Sequence, residues 1–199
     1  MLPDVAASER ALRRVFSQYR IPYYADRRHT LSEHAAAKFI LDYLSCFAQG
    51  CPFKECDAVI SSPLFPADRA DKDIYRNYAL RLANFRGGVR REPNPEILAK
   101  MNFDFDAVQR VRKLFLDGLA CLKTGTAAEV CAGLLHLLEK LEVKASLEKL
   151  TEKFKNDYPA ESEFSGMVFD AVSGVIAEAE VIAGGGKMPV SEFIKILKS

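Results

Sequence analysis

Apolar positions along this chain recur at three- and four-residue steps, a pattern that predicts helix after helix and almost no strand. The clearest run is Phe105 to Leu122, where Val108, Val111, Phe115, Leu119 and Leu122 fall on one face. Gly125 ends it. Thr126, with Glu129 three residues on, then forms a capping box for a helix that buries Val130, Leu134, Leu137, Leu138 and Leu141. Upstream, Ala37, Ile40, Leu41, Leu44 and Phe47 form the inward stripe of a helix closed by Gly50, followed by a shorter helix through Ala58-Val59-Ile60. A loop with two prolines, Ser-Ser-Pro-Leu-Phe-Pro, breaks the pattern, and Ile74, Tyr78 and Leu82 then mark the face of another helix. Downstream come Leu147-Leu150-Phe154, then Phe164-Val168-Val172-Val175-Ile182, a glycine hinge or cap at 184–186, and a last helix from Val190 to Leu197. Helix lengths and spacings differ, so no solenoid is expected. The predicted class is all-α, with one short extended segment near residues 21–25.

That extended segment belongs to a joint running from Phe16 to Phe39. Leu12, Val15, Phe16 and Tyr19 sit at helical spacing, and the helix must stop before Ile21-Pro22, because a residue preceding proline is pushed out of the α region. Ile-Pro-Tyr-Tyr reads as extended, Asp26-Arg27-Arg28 as a charged turn, and Thr30 with Glu33 as a capping box opening the next helix. Ile21, Tyr23 and Phe39 are expected to be buried, pinning the segment in place.

Composition changes this picture little. Over 199 residues, 28% charged and 49% hydrophobic residues describe an ordinary globular chain. The absence of a membrane-length apolar run or signal-type opening gives the cytoplasm as the expected location. Cys46, Cys51 and Cys56 are evenly spaced and invite a metal reading. The spacing matches no familiar ligand pattern, however, so packed free thiols are the expectation.

Charge is more informative. The net charge is only +1, yet no arginine occurs after Arg112, so an anionic partner is expected on the first half. Residues 69–91 hold seven basic side chains against two acidic ones. Arg86, Arg90 and Arg91 bracket Gly87-Gly88, an arrangement that lets backbone approach phosphates. A helix whose charges merely face water is the commoner use of such a stretch. Catalytic motifs are missing: there is no phosphate-binding loop, HExxH or G-x-S-x-G. Asp71-Lys72-Asp73 has the look of a nuclease's acid and lysine, but it lies at a helix start, where acids serve the helix dipole. His29 and His34 are poorly spaced for a shared metal, and His136 reads as a boundary residue. The chain is expected to be no enzyme.

Phe16, Tyr19, Ile21, Pro22, Tyr23, Asp26, Arg28 and His34 spell out a helix, then x-Ile-Pro-Tyr-x-x-Asp-x-Arg, then a long helix. This order resembles the segment leaving the second motor domain of UvrD-like superfamily 1 helicases. Its wording is most similar to the B subunit of the AddAB-type ATP-dependent helicase/deoxyribonuclease. Phe53, Ser62-Pro63-Leu64-Phe65, Asn77-Tyr78-Ala79-Leu80 and Ser191-Glu192-Phe193 extend the match, while His34-Ala35-Ala36 departs from the family's frequent His-Pro-Leu. The resemblance implies an internal fragment, with residues 1–30 the exit of the second motor domain and 31–199 a helical 2B-like insertion. Its implied role is non-catalytic: positioning a double-stranded DNA end during break repair and packing on the A subunit, with no membrane involved. Arg86, Arg90, Arg91, Arg27 and Arg28 become the DNA-contact candidates. ATP, magnesium and an iron–sulfur cluster are implied for the parent, bound elsewhere. A stand-alone helical adaptor, or an enzyme with a dispersed site, are the competing readings.

Overall fold

The computed structural model describes residues 15–16, 18–19, 21, 34–81, 88–154, 159–183 and 186–198. By contacts the chain divides into two compact units, Met1–Thr30 and Leu31–Ser199. In the first, the Tyr19 N–H donates to the Val15 carbonyl (3.1 Å) and the Ile21 N–H to the Phe16 carbonyl (2.8 Å). Ile21 is 49% exposed, contrary to the expected burial. Its backbone is tied back to the helical turn it follows, which leaves the side chain outward. Tyr23, Arg27, Arg28, His29 and the rest of the expected extended segment lie outside the described residues, as does the Thr30/Glu33 pair.

The second unit holds nine helices among the described residues: α1 (Ala35–Gln49), α2 (Phe53–Ser61), α3 (Arg69–Arg81), α4 (Pro95–Lys100), α5 (Phe105–Cys121), α6 (Ala127–Lys140), α7 (Val143–Phe154), α8 (Pro159–Ala183) and α9 (Val190–Lys198). The mainly all-α class is therefore what the structure has. Helix α1 starts later than the Thr30 cap predicts. His34 is in an extended conformation, and its Nδ1 accepts from the Ala36 N–H at 3.2 Å, so the histidine itself caps the helix. Helix α4 was not expected; Asn94 caps it, accepting from Glu96 and Ile97 N–H, with Pro95 at the first helical position. The Thr126/Glu129 capping box forms as predicted. A two-residue antiparallel ladder, β1 (Gly125–Thr126) with β2 (Lys187–Met188), ties that cap to the approach of α9.

Helix α1 packs on α2, α8 and α9, α3 on α5, and α6 on α5, α7 and α8. At the centre the fully buried Tyr43 ring stacks on Phe115 (5.4 Å between centroids) and meets Phe39 edge-on (5.2 Å). The resemblance residues Leu64, Phe65, Tyr78, Ala79 and Phe193 are all buried, so that part of the match is a match of core. Two predicted stripes hold in part, and Leu82 of the first lies outside the described residues. In α3 the buried residues are Tyr75, Tyr78 and Ala79, and Ile74 is only half-buried. In α8 they include Val168, Val172, Ile176 and Ala179, while Ile182 is 72% exposed.

Candidate nucleic-acid interface

The basic stretch 69–91 divides once side chains are placed. Arg76 grips Asp57 of α2 with two guanidinium nitrogens, Nη2 reaching Oδ2 at 3.1 Å. Lys72 donates to the Ser62 carbonyl at 2.9 Å and sits over the Phe65 ring. Burial lowers the pKa of its ammonium. Arg81 lies over Phe103, with 5.2 Å from guanidinium to ring centroid. These three cations hold α3 to its neighbours. Asp71 of the Asp71-Lys72-Asp73 run is likewise engaged. Asp71 accepts two bonds from Arg110 of α5 (2.7 and 3.0 Å), which hold its carboxyl below the ordinary carboxylate range. A cleft of about 350 Å³ beside Arg69, Lys72 and Arg76 is lined by no thiol or histidine.

What remains is the turn at 88–91. Val89 is fully buried and Pro93 is buried after it, anchoring both sides of the turn in the core. From α5, the Arg112 guanidinium donates to three consecutive carbonyls: Val89 at 2.9 Å, Arg90 at 3.0 Å and Arg91 at 3.1 Å. One fixed fork of donors thereby satisfies carbonyls that have no ladder partner. The consequence is geometric: with the main chain held from inside, Arg90 and Arg91 stand exposed. Among the described residues neither is paired with a carboxylate. The Arg90 charge also helps to lower the pKa of the Cys51 thiol. Arg86 and Gly87 lie outside the described residues.

Sequence reasoning placed Arg90 and Arg91 together but missed Arg112. It is the last arginine of the chain, and its role could not be read because its partners are carbonyls more than twenty residues away. It also missed that the three early cysteines meet. The Cys51 N–H donates to the Cys46 carbonyl (2.8 Å) around Gly50, whose φ of +77° closes α1 in the left-handed region. Such a cap brings the side chains at its two ends together. Cys56, on the first turn of α2, adds its sulfur 3.5 Å from that of Cys46. Among the described residues, no group of three or more His, Cys, Asp or Glu is arranged to hold a metal ion. His34 caps α1 and His136 is exposed.

A helical unit with an internally braced basic turn is thus the class of object in hand. No family model matches the chain. It is similar along nearly its whole length to curated proteins named as the B subunit of an ATP-dependent helicase/deoxyribonuclease. That of Acetivibrio thermocellus is 24% identical, covering 96% of this chain and 18% of the relative. Those of Clostridium novyi and Clostridium perfringens are 21% and 23% identical, each covering 98% of this chain and 17% and 19% of the relative. The similarity read from the motifs is therefore found independently, and the chain spans less than a fifth of the length of these relatives. No helix among the described residues is long and apolar enough to cross a membrane.

Proposed function

We propose that this chain is a non-catalytic positioning domain of a helicase–nuclease acting in DNA break repair, contacting duplex phosphates through Arg90 and Arg91. Residues 31–199 form its 2B-like helical body, and residues 1–30 are the exit of a motor domain. The observation carrying the reading is the Arg112 brace. A turn whose carbonyls are satisfied from inside presents two arginines outward at no further ordering cost to the backbone, which favours capture of a rigid anionic lattice. The relatives' name supplies the class of anion. In this assignment ATP, magnesium and iron–sulfur chemistry belong to other parts of the parent protein.

Phosphate contacts release counterions, so duplex affinity is expected to fall steeply with salt. The Arg90→Ala/Arg91→Ala variant is expected to bind more weakly at low salt and to lose about two units of the salt slope, about one per contact. Unchanged affinity and slope in a wild-type protein that binds measurably would sink the proposal. The adaptor reading has one observation in its favour: Val181 and Ile182, adjacent at the end of α8, are 82% and 72% exposed. Salt-independent association with a protein partner and no duplex binding would put it ahead.

A further inference from the structure

The cysteines at 46, 51 and 56 are each at most 1% exposed and take no part in the proposed DNA contact. Free cysteines are commonly buried singly as small apolar groups. Cys121 and Cys131 follow that pattern here, each donating to a helix carbonyl, Asp117 at 3.4 Å and Ile176 at 3.3 Å. The first three differ. The sulfurs of Cys46 and Cys56 are in contact at 3.5 Å, and Cys56 also reaches the Cys51 carbonyl at 3.5 Å. Cys51 sits in the three-residue link between α1 and α2 with a left-handed φ of +63°, outside either helix. Hydrogen bonds from Cys46 and then Cys56, outweighing burial and joined by Arg90, lower the pKa of the Cys51 thiol. The Cys46 thiol moves the opposite way, chiefly through its hydrogen bond to Cys51.

We propose that Cys46 and Cys56 form a peroxide-oxidisable thiol pair whose product is a Cys46–Cys56 disulfide. One of the two sulfurs, deprotonated, attacks one oxygen of a hydroperoxide. An S–O bond forms, the O–O bond breaks, and the departing alkoxide or hydroxide takes a proton, leaving that cysteine as sulfenic acid. The other sulfur, 3.5 Å away, then attacks the sulfenic sulfur and closes the 46–56 bond, and the sulfenic oxygen leaves as water with the second thiol's proton. In sum, two thiols and one hydroperoxide give one disulfide, one alcohol (or water) and one water.

The test treats the folded chain with hydrogen peroxide under native conditions, then blocks free thiols and maps disulfides by mass spectrometry. The expected result is loss of two of the five thiols, a Cys46–Cys56 link, and Cys121 and Cys131 still reduced. Cys56→Ser is expected to abolish the link, while Cys51→Ser and Arg90→Ala are expected to leave it forming. Equal oxidation of all five cysteines only on unfolding, or persistence of Cys46 and Cys56 as thiols, would overturn the proposal. The wild-type comparison needs no variant to fold. Arg91→Ala separates this centre from the DNA reading, since it is expected to weaken duplex binding and leave thiol oxidation unchanged.

Discussion

Helices α5 and α8 are the two longest among the described residues, at 17 and 25 residues, and they meet the core in opposite ways. Along α5 burial is continuous from Ala107 to Cys121, and every residue of its predicted stripe is inside. Along α8 burial runs from Val168 through Ala179, after which Val181 and Ile182 emerge into solvent. The difference lies in how many faces each sequence offers. Helix α5 carries Arg110, Arg112, Lys113 and Asp117 between its apolar positions, so only one phase of the pattern is possible. Helix α8 is apolar on several faces, with Phe169 and Val175 half-buried beside the main stripe, and its neighbours choose among them. Periodicity identifies a face where polar residues exclude the others. Where they do not, tertiary contact decides.

The largest expected effect tests that contrast directly. Phe115 is fully buried between Tyr43 and Phe65, so Phe115→Ala is expected to cost about 3–5 kcal/mol in chemical denaturation. Ile182→Ala, at the exposed end of α8, is expected to stay within about 0.5 kcal/mol. Equal losses would erase the distinction between the helices. A finer pair uses one glycine from each. A Cβ on Gly118 of α5 would lie 2.6 Å from the Tyr43 hydroxyl, which ends a rigid stacked ring and cannot swing aside. Gly118→Ala is accordingly expected to cost about 1–3 kcal/mol. Gly174 of α8 has nothing within 4 Å of such a Cβ, and alanine there is expected to stabilise by about 0.5–1 kcal/mol. Two helix glycines are thus expected to respond to the same substitution with opposite signs.

Much of the fold was legible for the reason α5 was: caps and single-phase stripes are local. The Thr126/Glu129 box, the Gly50 stop and the stripe of α6 needed nothing distant. The α4 helix carries a local signal too, the Asn94 cap with Pro95 at the first helical position, but at six residues it is too short to show a stripe. The end of the α8 stripe was not legible, because there the choice among apolar residues is made by neighbouring helices. The site followed the same division. Arg90 and Arg91 stand out as residues in a turn, whereas Arg112, Asp57 and Asp71 act through partners far along the chain, and composition counted them only as charge. The cysteine cluster was half visible. Even spacing marked it, but the helix cap that brings its sulfurs together was read only as a place where α1 ends.

The smallest effect concerns how each long helix is tethered. Helix α5 is joined to α3 by the Arg110–Asp71 pair, with the Arg110 side chain 56% exposed. Helix α8 is joined to α7 by the Lys144 ammonium over the Phe169 ring at 5.6 Å. Asp71 is held below the ordinary carboxylate range by Arg110, so its folded pKa lies under its unfolded one. Stability from the pair is therefore complete above the unfolded value of about 4 and is lost as pH falls through the folded one. Exposure and salt screening keep the contribution small. The stability difference between wild type and Asp71→Asn is expected to be constant from pH 7 down to about 5, then to shrink toward zero in stronger acid. The difference for Phe169→Leu is expected to hold across the same range, because a cation over a ring face involves no carboxylate. A difference for Asp71→Asn that survived in full at the acid end would mean that Asp71 holds α5 by shape and hydrogen bonding alone, and the two tethers would no longer differ in kind.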